Sequence, residues 1–530
     1  MFSFRRSLPW LGTVTLIAGT TQAQNATTAC DPSTFSFPDI LGAELVNIEA
    51  NEVKNYSRTT LLPGTDNGSA PTVDFCNITI TYTHVGWDDT INVVAWMPLQ
   101  DWNNRILGVG GGGFSGSFGS IYDTAAVDKG FVAISTDTGH PTGMENANDV
   151  SWALKNPGNL DYHRIEDWGS RTLGELSIIG KKATEDFYGS PHSYSYFTGC
   201  SGGGRQAMEL AQSFPDAFDG LLAAAPAIYI ETFLVSGYYP TLLMDQMKTY
   251  PPPCEINAFT EAAVKRCDKL DGIEDKIISS PADCDFNALD VVGQNFTCNN
   301  ATRTFTESGA KLVNAAWNGI EAPDGHFWYG LDIGADLTEA ALITECATEA
   351  GEECSKSSGP SLFAGLIATL VAADPEYNVT AMSTDDFHRL FATSINRYRQ
   401  WIGAAEPRLY DFHEAGGKMI SWHGMADTTI PVKGSAHYYD QVLEHNTNVS
   451  DFYRHFEAPG VGHCSGGAGP LPNGALEQLM AWVENGTAPE TLTASSQATG
   501  LKRPLCSYPS RQEYRGGNAS SIDSFTCVDN

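Results

Sequence analysis

Short apolar runs along the chain alternate with stretches whose apolar residues recur at helical spacing. The runs are continuously apolar or rich in β-branched residues, and they end in Gly, Pro or polar turns, which is typical of buried strands. They lie at residues 91–97, 105–109, 130–135, 194–198, 220–225 and 418–422, and the helical spacing covers residues 166–188 and 205–214. This alternation predicts the α/β class, with a parallel sheet covered by helices on both faces.

Residues 230–408 interrupt the alternation. This segment has six cysteines, several Asn-x-Ser/Thr sequons and few strand patterns. Because it lies between two predicted strands, it would leave the sheet at the carboxyl ends of the strands, where α/β folds bind ligands. We therefore expect an inserted lid or substrate-binding domain at 230–408 and a catalytic domain formed by residues 24–229 and 409–530.

The size and charge of the chain narrow the classes of partner. Its 530 residues are enough for a large core with an inserted module, and they contain no internal repeat. The 63 acidic residues exceed the 31 Lys and Arg residues, which gives a formal net charge of -32. Such a charge repels phosphate backbones and anionic lipid surfaces, so neither nucleic acid nor a membrane is expected as a partner.

The first 23 residues have the order of a secretory signal peptide. Arg5 and Arg6 precede a mostly apolar run at 8–18, and small residues lead to Ala23, after which we expect cleavage. A membrane anchor is the alternative, but the run is far shorter than the roughly 20 apolar residues that a membrane helix needs. The sequence therefore predicts a secreted, extracellular protein.

The cysteines and the sequons agree with export. The 12 cysteines are an even number, as expected for a disulfide-bonded protein from an oxidising compartment. About ten Asn-x-Ser/Thr sequons, among them Asn77, Asn295 and Asn378, predict a glycoprotein.

A Gly-x-Ser-x-Gly motif at residues 199–203 marks Ser201 as the candidate nucleophile. A predicted strand precedes the motif and a predicted helix follows it, which is the context of a nucleophile elbow. The elbow holds the serine in a strained turn between small residues, above a helix N-terminus that can stabilise an oxyanion. The alternative is a glycine-rich turn with an incidental serine.

An unactivated hydroxyl is a poor nucleophile, so the chain must also supply a base and an acid that orients it. Asp427 follows the predicted strand at 418–422, and His463 lies in the glycine-rich loop 458–464. Their order, serine then acid then histidine, is that of α/β-hydrolases, which predicts this fold with a large inserted lid. The other histidines, His423 and His455 included, are expected to be surface or core residues.

Two cysteines flank the candidate nucleophile and base. Cys200 precedes Ser201, and Cys464 follows His463. If the serine and histidine lie within hydrogen-bond reach, the neighbouring Cα atoms can fall in the window of roughly 4.4 to 6.8 Å that a disulfide requires. Such a bond would join the two halves of the site. The alternative is that each cysteine pairs elsewhere, because sequence alone does not fix the connectivity.

An oxyanion hole needs two donors. Gly202 is the first candidate, and Gly112 or Gly113, in the glycine-rich loop 108–114 after the strand at 105–109, is the second. A phosphate-binding loop is the alternative, but no Gly-Lys-Ser/Thr follows, and the negative charge disfavours nucleotides.

Together these motifs resemble those of the tannase and feruloyl esterase family of fungal secreted enzymes. The resemblance covers most of the mature chain and departs slightly at Ser201-Gly202-Gly203, where many members have Ser-Thr-Gly. The segments that carry it are residues 110–113, 135–140, 199–206, 220–226, 423–427 and 462–464.

The resemblance implies a structural calcium ion in the lid and no organic cofactor. The matching segment is 267–277, and it offers hard oxygen ligands of the kind that calcium prefers. These are the carboxylates of Asp268, Asp271 and Asp275 and the backbone carbonyls of Ile273 and Ile277. Without the resemblance, this segment is not an EF-hand loop, and a solvated acidic turn is the better interpretation.

The resemblance also implies disulfide bonds. By this route Cys267 pairs with Cys284, which would close the acidic segment. The other implied pairs are Cys30 with Cys76 and Cys506 with Cys527. Proximity suggests Cys346 with Cys354, and elimination leaves Cys254 with Cys298.

The expected reaction is acyl transfer to Ser201, with His463 as base and Asp427 orienting it. The resemblance points to an ester of a phenolic acid, most directly a feruloyl or other hydroxycinnamoyl ester of plant cell-wall polysaccharide. Gallate esters, and hence a tannase, are the alternative, and a catalytically silent binding protein or a serine peptidase are further ones. Candidate pocket walls in the insertion are Phe327, Trp328 and Tyr329.

Overall fold

The structure is a computed structural model that describes residues 29–322, 325–348, 351–358 and 361–529, with the side chains of 321–322 and 325–327 left out. The predicted signal peptide at 1–23, with its cleavage after Ala23, lies outside the described residues. Among the described helices, none combines the length and apolar character needed to cross a membrane.

A nine-stranded sheet runs through the described part of the chain in the order β1-β2-β3-β5-β4-β6-β7-β8-β9. Strands β1 to β3 and β5 pair antiparallel, and β5, β4 and β6 to β9 pair parallel. The strands are β1 Ala43–Ser57, β2 Thr72–His84, β3 Ile91–Pro98, β4 Arg105–Val109, β5 Val132–Thr136, β6 Tyr194–Cys200, β7 Gly220–Ala224, β8 Lys418–Gly424 and β9 Tyr453–Ala458.

The sheet thus differs from the predicted parallel sheet at one edge. A parallel pair needs a crossover of about a dozen residues or more, whereas residues 85–90 alone join β2 to β3. The chain therefore reverses there and pairs antiparallel. Strand β1 ends the sheet with exposed charged side chains such as Glu52, a usual protection of an edge strand.

Helices cover both faces of the sheet, and two π-helical turns, Asp167–Arg171 and Ile367–Val371, continue α2 and α9. Leu176 of α3 packs with Ile80 of β2 on one face, and Leu479 of α13 packs with Ile420 of β8 on the other. The helices are α1 Ser120–Asp128, α2 Tyr162–Glu166, α3 Thr172–Tyr188, α4 Gly202–Ser213, α5 Ile230–Ser236, α6 Tyr239–Met247, α7 Pro253–Cys267, α8 Glu307–Asn318, α9 Leu362–Leu366, α10 Thr384–Tyr398, α11 Tyr410–Glu414, α12 Val432–His445 and α13 Ala475–Asn485.

The segment between β7 and β8 contributes to two apolar clusters. One, around Phe259 and Leu312, contains insertion residues only, and the other joins Phe363 and Leu390 to Trp168 of the sheet domain. Two-stranded hairpins complete the fold, at Leu154–Asn156 with Asn159–Leu160, Asn295–Cys298 with Ala301–Thr304, Ile320–Ala322 with Gly325–Trp328, Thr344–Cys346 with Cys354–Lys356, Thr491–Ser495 with Lys502–Cys506, and Arg511–Tyr514 with Phe525–Val528.

Six disulfide bonds link the described cysteines. Three of them lie within the insertion, and one crosses between β6 and the loop after β9. The pairs are Cys30–Cys76, Cys200–Cys464, Cys254–Cys298, Cys267–Cys284, Cys346–Cys354 and Cys506–Cys527.

Candidate active site

Ser201 stands in a sharp turn between β6 and α4. Its φ of 61° and ψ of -118° lie in a region that non-glycine residues rarely adopt. The turn requires small neighbours, since a Cβ atom on Gly199 would lie 2.5 Å from the backbone carbon of Gly203. The sequence Gly-x-Ser-x-Gly thus folds into an elbow, and the first turn of α4 directs its free backbone N–H groups to this point.

Asp427 and His463 meet beyond the carboxyl ends of β8 and β9. Nδ1 of His463 lies 2.7 Å from Oδ2 of Asp427. Backbone N–H groups of Thr429 and Ile430 donate to Oδ1 of the same carboxylate, each at 2.8 Å. The carboxylate is therefore fixed on one side by the chain and free on the other to orient the imidazole.

His423 is a further partner of this carboxylate that sequence reasoning placed among the surface or core residues. It is fully buried, and its Nε2 lies 3.0 Å from Oδ2 of Asp427 while its Nδ1 lies 2.8 Å from Oγ of Ser435. With Nε2 protonated, the ring donates to Asp427 and accepts from the serine hydroxyl. The sequence signal was its position at the end of β8, four residues before the acid.

These contacts set the protonation of the pair. Burial alone would raise the pKa of Asp427, but His463 and His423 hold it well below its usual value. Burial alone would lower the pKa of His463, but the charge and hydrogen bond of Asp427, followed by the charge of Glu339, raise it above that of a free imidazole. The arrangement therefore stabilises an imidazolium next to an ionised carboxylate, as proton transfer from a nucleophile requires.

The glycine-rich loop after β4 packs directly on the elbow. A Cβ atom on Gly202 would lie 2.3 Å from the carbonyl oxygen of Gly113 and 3.3 Å from the carbonyl carbon of Gly112. Buried Gln206 of α4 holds the loop, accepting from the N–H of Gly111 and donating to the carbonyl of Gly116. All three candidate oxyanion residues thus lie together beside Ser201.

The bond between Cys200 and Cys464 joins the elbow to the histidine loop. Its two Cα atoms are 5.9 Å apart, although 264 positions separate them along the chain. Each cysteine is adjacent to one candidate catalytic residue, so the bond limits how far Ser201 and His463 can separate.

A cavity of about 330 Å³ opens beside His463, with walls from the insertion and from the loops after β8 and β9. Ile277, Ile333 and Glu339 form the insertion side, and Met425 and Thr428 form the opposite side. Trp328 and Tyr329 line smaller neighbouring cavities instead, and the side chain of Phe327 lies outside the described residues. The insertion therefore forms one wall of this cavity, with aliphatic and acidic side chains.

The acidic segment 267–277 lies next to this cavity. Asp268 and Asp271 are buried, and the pKa of Asp271 is raised by burial and by the charges of Asp275 and Asp268. Asp275 accepts from the N–H of Ile277 and is paired with Arg503, and Asp271 accepts from the N–H of Ile273. Partly buried carboxylates fit a hard cation in charge and in ligand type, but the three do not all lie within 4.8 Å of one another.

Glu339 offers a test of the electrostatics at His463. Its Oε2 accepts from Thr428 at 2.8 Å, and its charge raises the pKa of the imidazole. A base must be neutral, so kcat/KM is expected to fall as pH drops through that raised pKa. Glu339→Gln removes the charge and should move this acid limb to lower pH by about half a pH unit. The measurement is the pH profile of kcat/KM.

The matched control for this prediction is Asp336→Asn, which removes a carboxylate from the same cavity wall but from a group that does not raise the pKa of His463. Its acid limb should stay where the unmodified protein has it. Equal shifts in both variants would refute a specific role of Glu339.

An elbow serine between strand and helix, followed along the chain by a hydrogen-bonded acid and histidine beyond later parallel strands, defines an α/β-hydrolase. A family model described as "Tannase and feruloyl esterase" matches residues 76–528. A probable feruloyl esterase of Arthroderma benhamiae is 36% identical over 514 residues, covering 94% of this chain and 93% of the relative.

Two further comparisons agree. A tannase of Aspergillus oryzae is 28% identical, with 87% of this chain and 88% of the relative covered. The solved structure of tannin acyl hydrolase from Aspergillus niger matches with a TM-score of 0.83 and 27% identity, covering 94% of this chain and 95% of that one. The chain belongs to the tannase and feruloyl esterase family and is a carboxylic ester hydrolase. The resemblance and the fold predicted from sequence are thereby confirmed.

Proposed function

We propose that this protein is an extracellular serine esterase that hydrolyses feruloyl or other hydroxycinnamoyl esters of plant cell-wall polysaccharide. The observation that carries the substrate class is the similarity over nearly the whole chain to a probable feruloyl esterase. The six disulfide bonds and the sequons support an exported glycoprotein. The similarity in fold to a tannin acyl hydrolase favours gallate esters as the second candidate.

In the proposed mechanism His463 takes the proton of Ser201 as its Oγ attacks the ester carbonyl. Asp427 holds the imidazole with its Nδ1–H inward and stabilises the imidazolium. Backbone N–H groups of Gly202 and of Gly112 or Gly113 stabilise the oxyanion. The imidazolium then protonates the departing alcohol, and water, deprotonated by the same histidine, cleaves the acyl-enzyme.

We further propose the domain division of the sequence prediction, a catalytic domain at 24–229 and 409–530 with a lid at 230–408. The support is that insertion residues form one wall of the cavity at His463. Calcium would be held by the carboxylates of Asp268, Asp271 and Asp275 with the carbonyls of Ile273 and Ile277. When bound, the ion would neutralise these three carboxylates and stiffen the loop that carries Ile277 into the cavity.

Rates on two simple esters separate the candidate functions. We expect kcat/KM for methyl ferulate to exceed that for methyl gallate by about tenfold or more, because a pocket shaped for a longer cinnamoyl acid discriminates against a shorter, more polar one. Methyl benzoate serves as a control for unspecific esterase activity. Faster hydrolysis of the gallate would replace the feruloyl proposal by the tannase one, and turnover of neither phenolic ester would refute both.

A further inference from the structure

A second cluster of ionisable side chains lies buried away from the cavity at His463. His84 ends β2, Asp89 lies in the β2–β3 connection, and Asp167 begins the π-helical turn after α2. The side chains of all three are at most 1% exposed. Within the described part of the chain, this is the one group of three or more His, Cys, Asp or Glu residues whose ligand atoms lie within 4.8 Å of one another. We call it the His84 cluster.

Glu175 of α3 orients the imidazole of the cluster. Its Oε1 lies 2.9 Å from Nε2 of His84, and it also accepts from Arg171 at 3.1 Å and, through Oε2, from Tyr82 at 2.6 Å. With Nε2–H donating to Glu175, Nδ1 of His84 shares a second proton with Asp89 at 2.5 Å and lies 3.5 Å from Asp167. A metal ion at Nδ1 would take the place of that second proton. A carboxylate behind a histidine in this way is the usual support of a metal-binding imidazole.

Asp167 provides an independent sign that something is bound here. Among the described residues, neither of its carboxylate oxygens has a hydrogen-bond partner, although the side chain is fully buried. A buried carboxylate without a partner is costly, and native proteins normally satisfy such groups.

The charges around the His84 cluster also favour a bound cation. Glu175 is balanced by Arg171. Asp89 and Asp167 bring two carboxylates to one imidazole nitrogen, and one divalent cation bound there would balance the charges of both. The donors are one imidazole nitrogen and two carboxylate oxygens, a set that suits a borderline transition ion better than calcium, which prefers oxygen alone.

We propose that Nδ1 of His84 and the carboxylates of Asp89 and Asp167 bind a divalent transition metal ion of the zinc class. Ligands of a tetrahedral zinc ion lie roughly 3.3 Å apart, given bond lengths of about 2.0 to 2.1 Å. The 3.5 Å between Nδ1 of His84 and Oδ1 of Asp167 matches this spacing. The 2.5 Å between Nδ1 and Oδ2 of Asp89 is shorter, so the Asp89 side chain has to move outward to bind the same ion.

The site is structural, and its position links it to the elbow. The residues after Asp167 turn their carbonyls to Arg205 of α4, which donates to Trp168 at 3.2 Å and to Gly169 at 2.8 Å. Trp168 also packs on Phe114, at the end of the glycine-rich loop. An ion at Asp167 would hold this turn, and through it the back of the nucleophile helix, in place.

The test is zinc binding by the full-length protein after removal of metals with a chelator. Each variant is reconstituted with zinc chloride, passed through a desalting column and assayed for zinc by mass spectrometry. The unmodified protein should retain about one zinc ion per chain and gain about 3 to 5 °C in Tm. Asp167→Asn and His84→Gln should lose both the ion and the gain in Tm.

Two controls make the result specific. Asp123→Asn changes a buried carboxyl of α1, where burial raises the pKa to about 7. This variant should keep its zinc. Asp271→Asn should lose calcium but keep zinc, which separates the His84 cluster from the proposed calcium loop. An anomalous zinc peak between His84 and Asp167 in crystals of the unmodified protein supports the proposal even where a variant fails to fold. Zinc-free unmodified protein, or zinc retained by folded Asp167→Asn, overturns it and leaves a proton on Asp167 as the explanation.

Discussion

Ser201→Ala is expected to lower kcat on methyl ferulate by about 10⁴- to 10⁶-fold, the loss typical of a nucleophile in a serine triad. The acyl-enzyme cannot form without Oγ, and a water molecule is not held at the elbow in its place. KM should change little, because the cavity walls at His463 are untouched. The residual rate would come from binding and the oxyanion donors alone. Steady-state kinetics with a purified, freshly expressed variant measures this.

Two companions of this variant show whether the serine acts within a triad. Ser465→Ala removes a hydroxyl from the wall of the cavity beside His463 and should change kcat by less than about threefold. The double variant with Ser201→Ala and His463→Ala should be no slower than Ser201→Ala alone, since residues acting as a unit are not additive. Activity of Ser201→Ala above about one hundredth of the original would rule out Ser201 as the nucleophile.

The sequence predicts those parts of the fold whose reason is local. The strand before Ser201 is rich in aromatic and small residues and has no charged one because it is buried on both faces, so its pattern is visible without the fold. The elbow is local only in part, since Gly199 is required by its contact with Gly203 four positions on, whereas Gly203 is required by the backbone of Gly111 in the glycine-rich loop. The meeting of Asp427 and His463 can also be predicted, because their two loops follow parallel strands and must emerge at one edge of the sheet.

Where the reason is distant, the sequence pattern fails. Strand β9 is absent from the strands that the sequence predicts, and it carries Arg454 and His455, both of which are buried. Arg454 donates to the carbonyl of Pro489, and Nδ1 of His455 contacts the hydroxyl of Ser421 on the neighbouring strand. Only tertiary packing supplies these partners, so the strand is invisible in the sequence alone.

The same limit applies to the side chains around the site. The position of His423 at the end of β8, four residues before Asp427, is its one sequence signal, and the contact with Asp427 itself becomes visible only in the fold. In the His84 cluster, Asp167 follows His84 by 83 positions, and no motif connects them. Trp328 and Tyr329 are predicted as pocket walls, but they line neighbouring cavities instead.

Replacing Cys200 and Cys464 together by serine is expected to reduce both stability and activity. The bond closes a loop of 264 positions, so its loss should cost about 3 to 5 kcal/mol of unfolding free energy through the greater freedom of the unfolded chain. The native state loses the constraint between Ser201 and His463 as well. Because misplacement by about 1 Å can cost about 100-fold in rate, kcat should fall by about 10- to 100-fold even well below the new Tm.

The Cys346–Cys354 bond separates the two effects. It spans 8 positions in a hairpin of the insertion, away from the triad, so the double serine variant there should lose about 2 kcal/mol and keep its kcat. Denaturant unfolding gives the stabilities, and kinetics at a temperature where both variants are folded gives the rates. If the Cys200 and Cys464 variant kept full kcat while losing stability, the bond would stabilise the fold without aligning the nucleophile and the base. A fall in kcat confined to this pair instead assigns it the alignment of nucleophile and base.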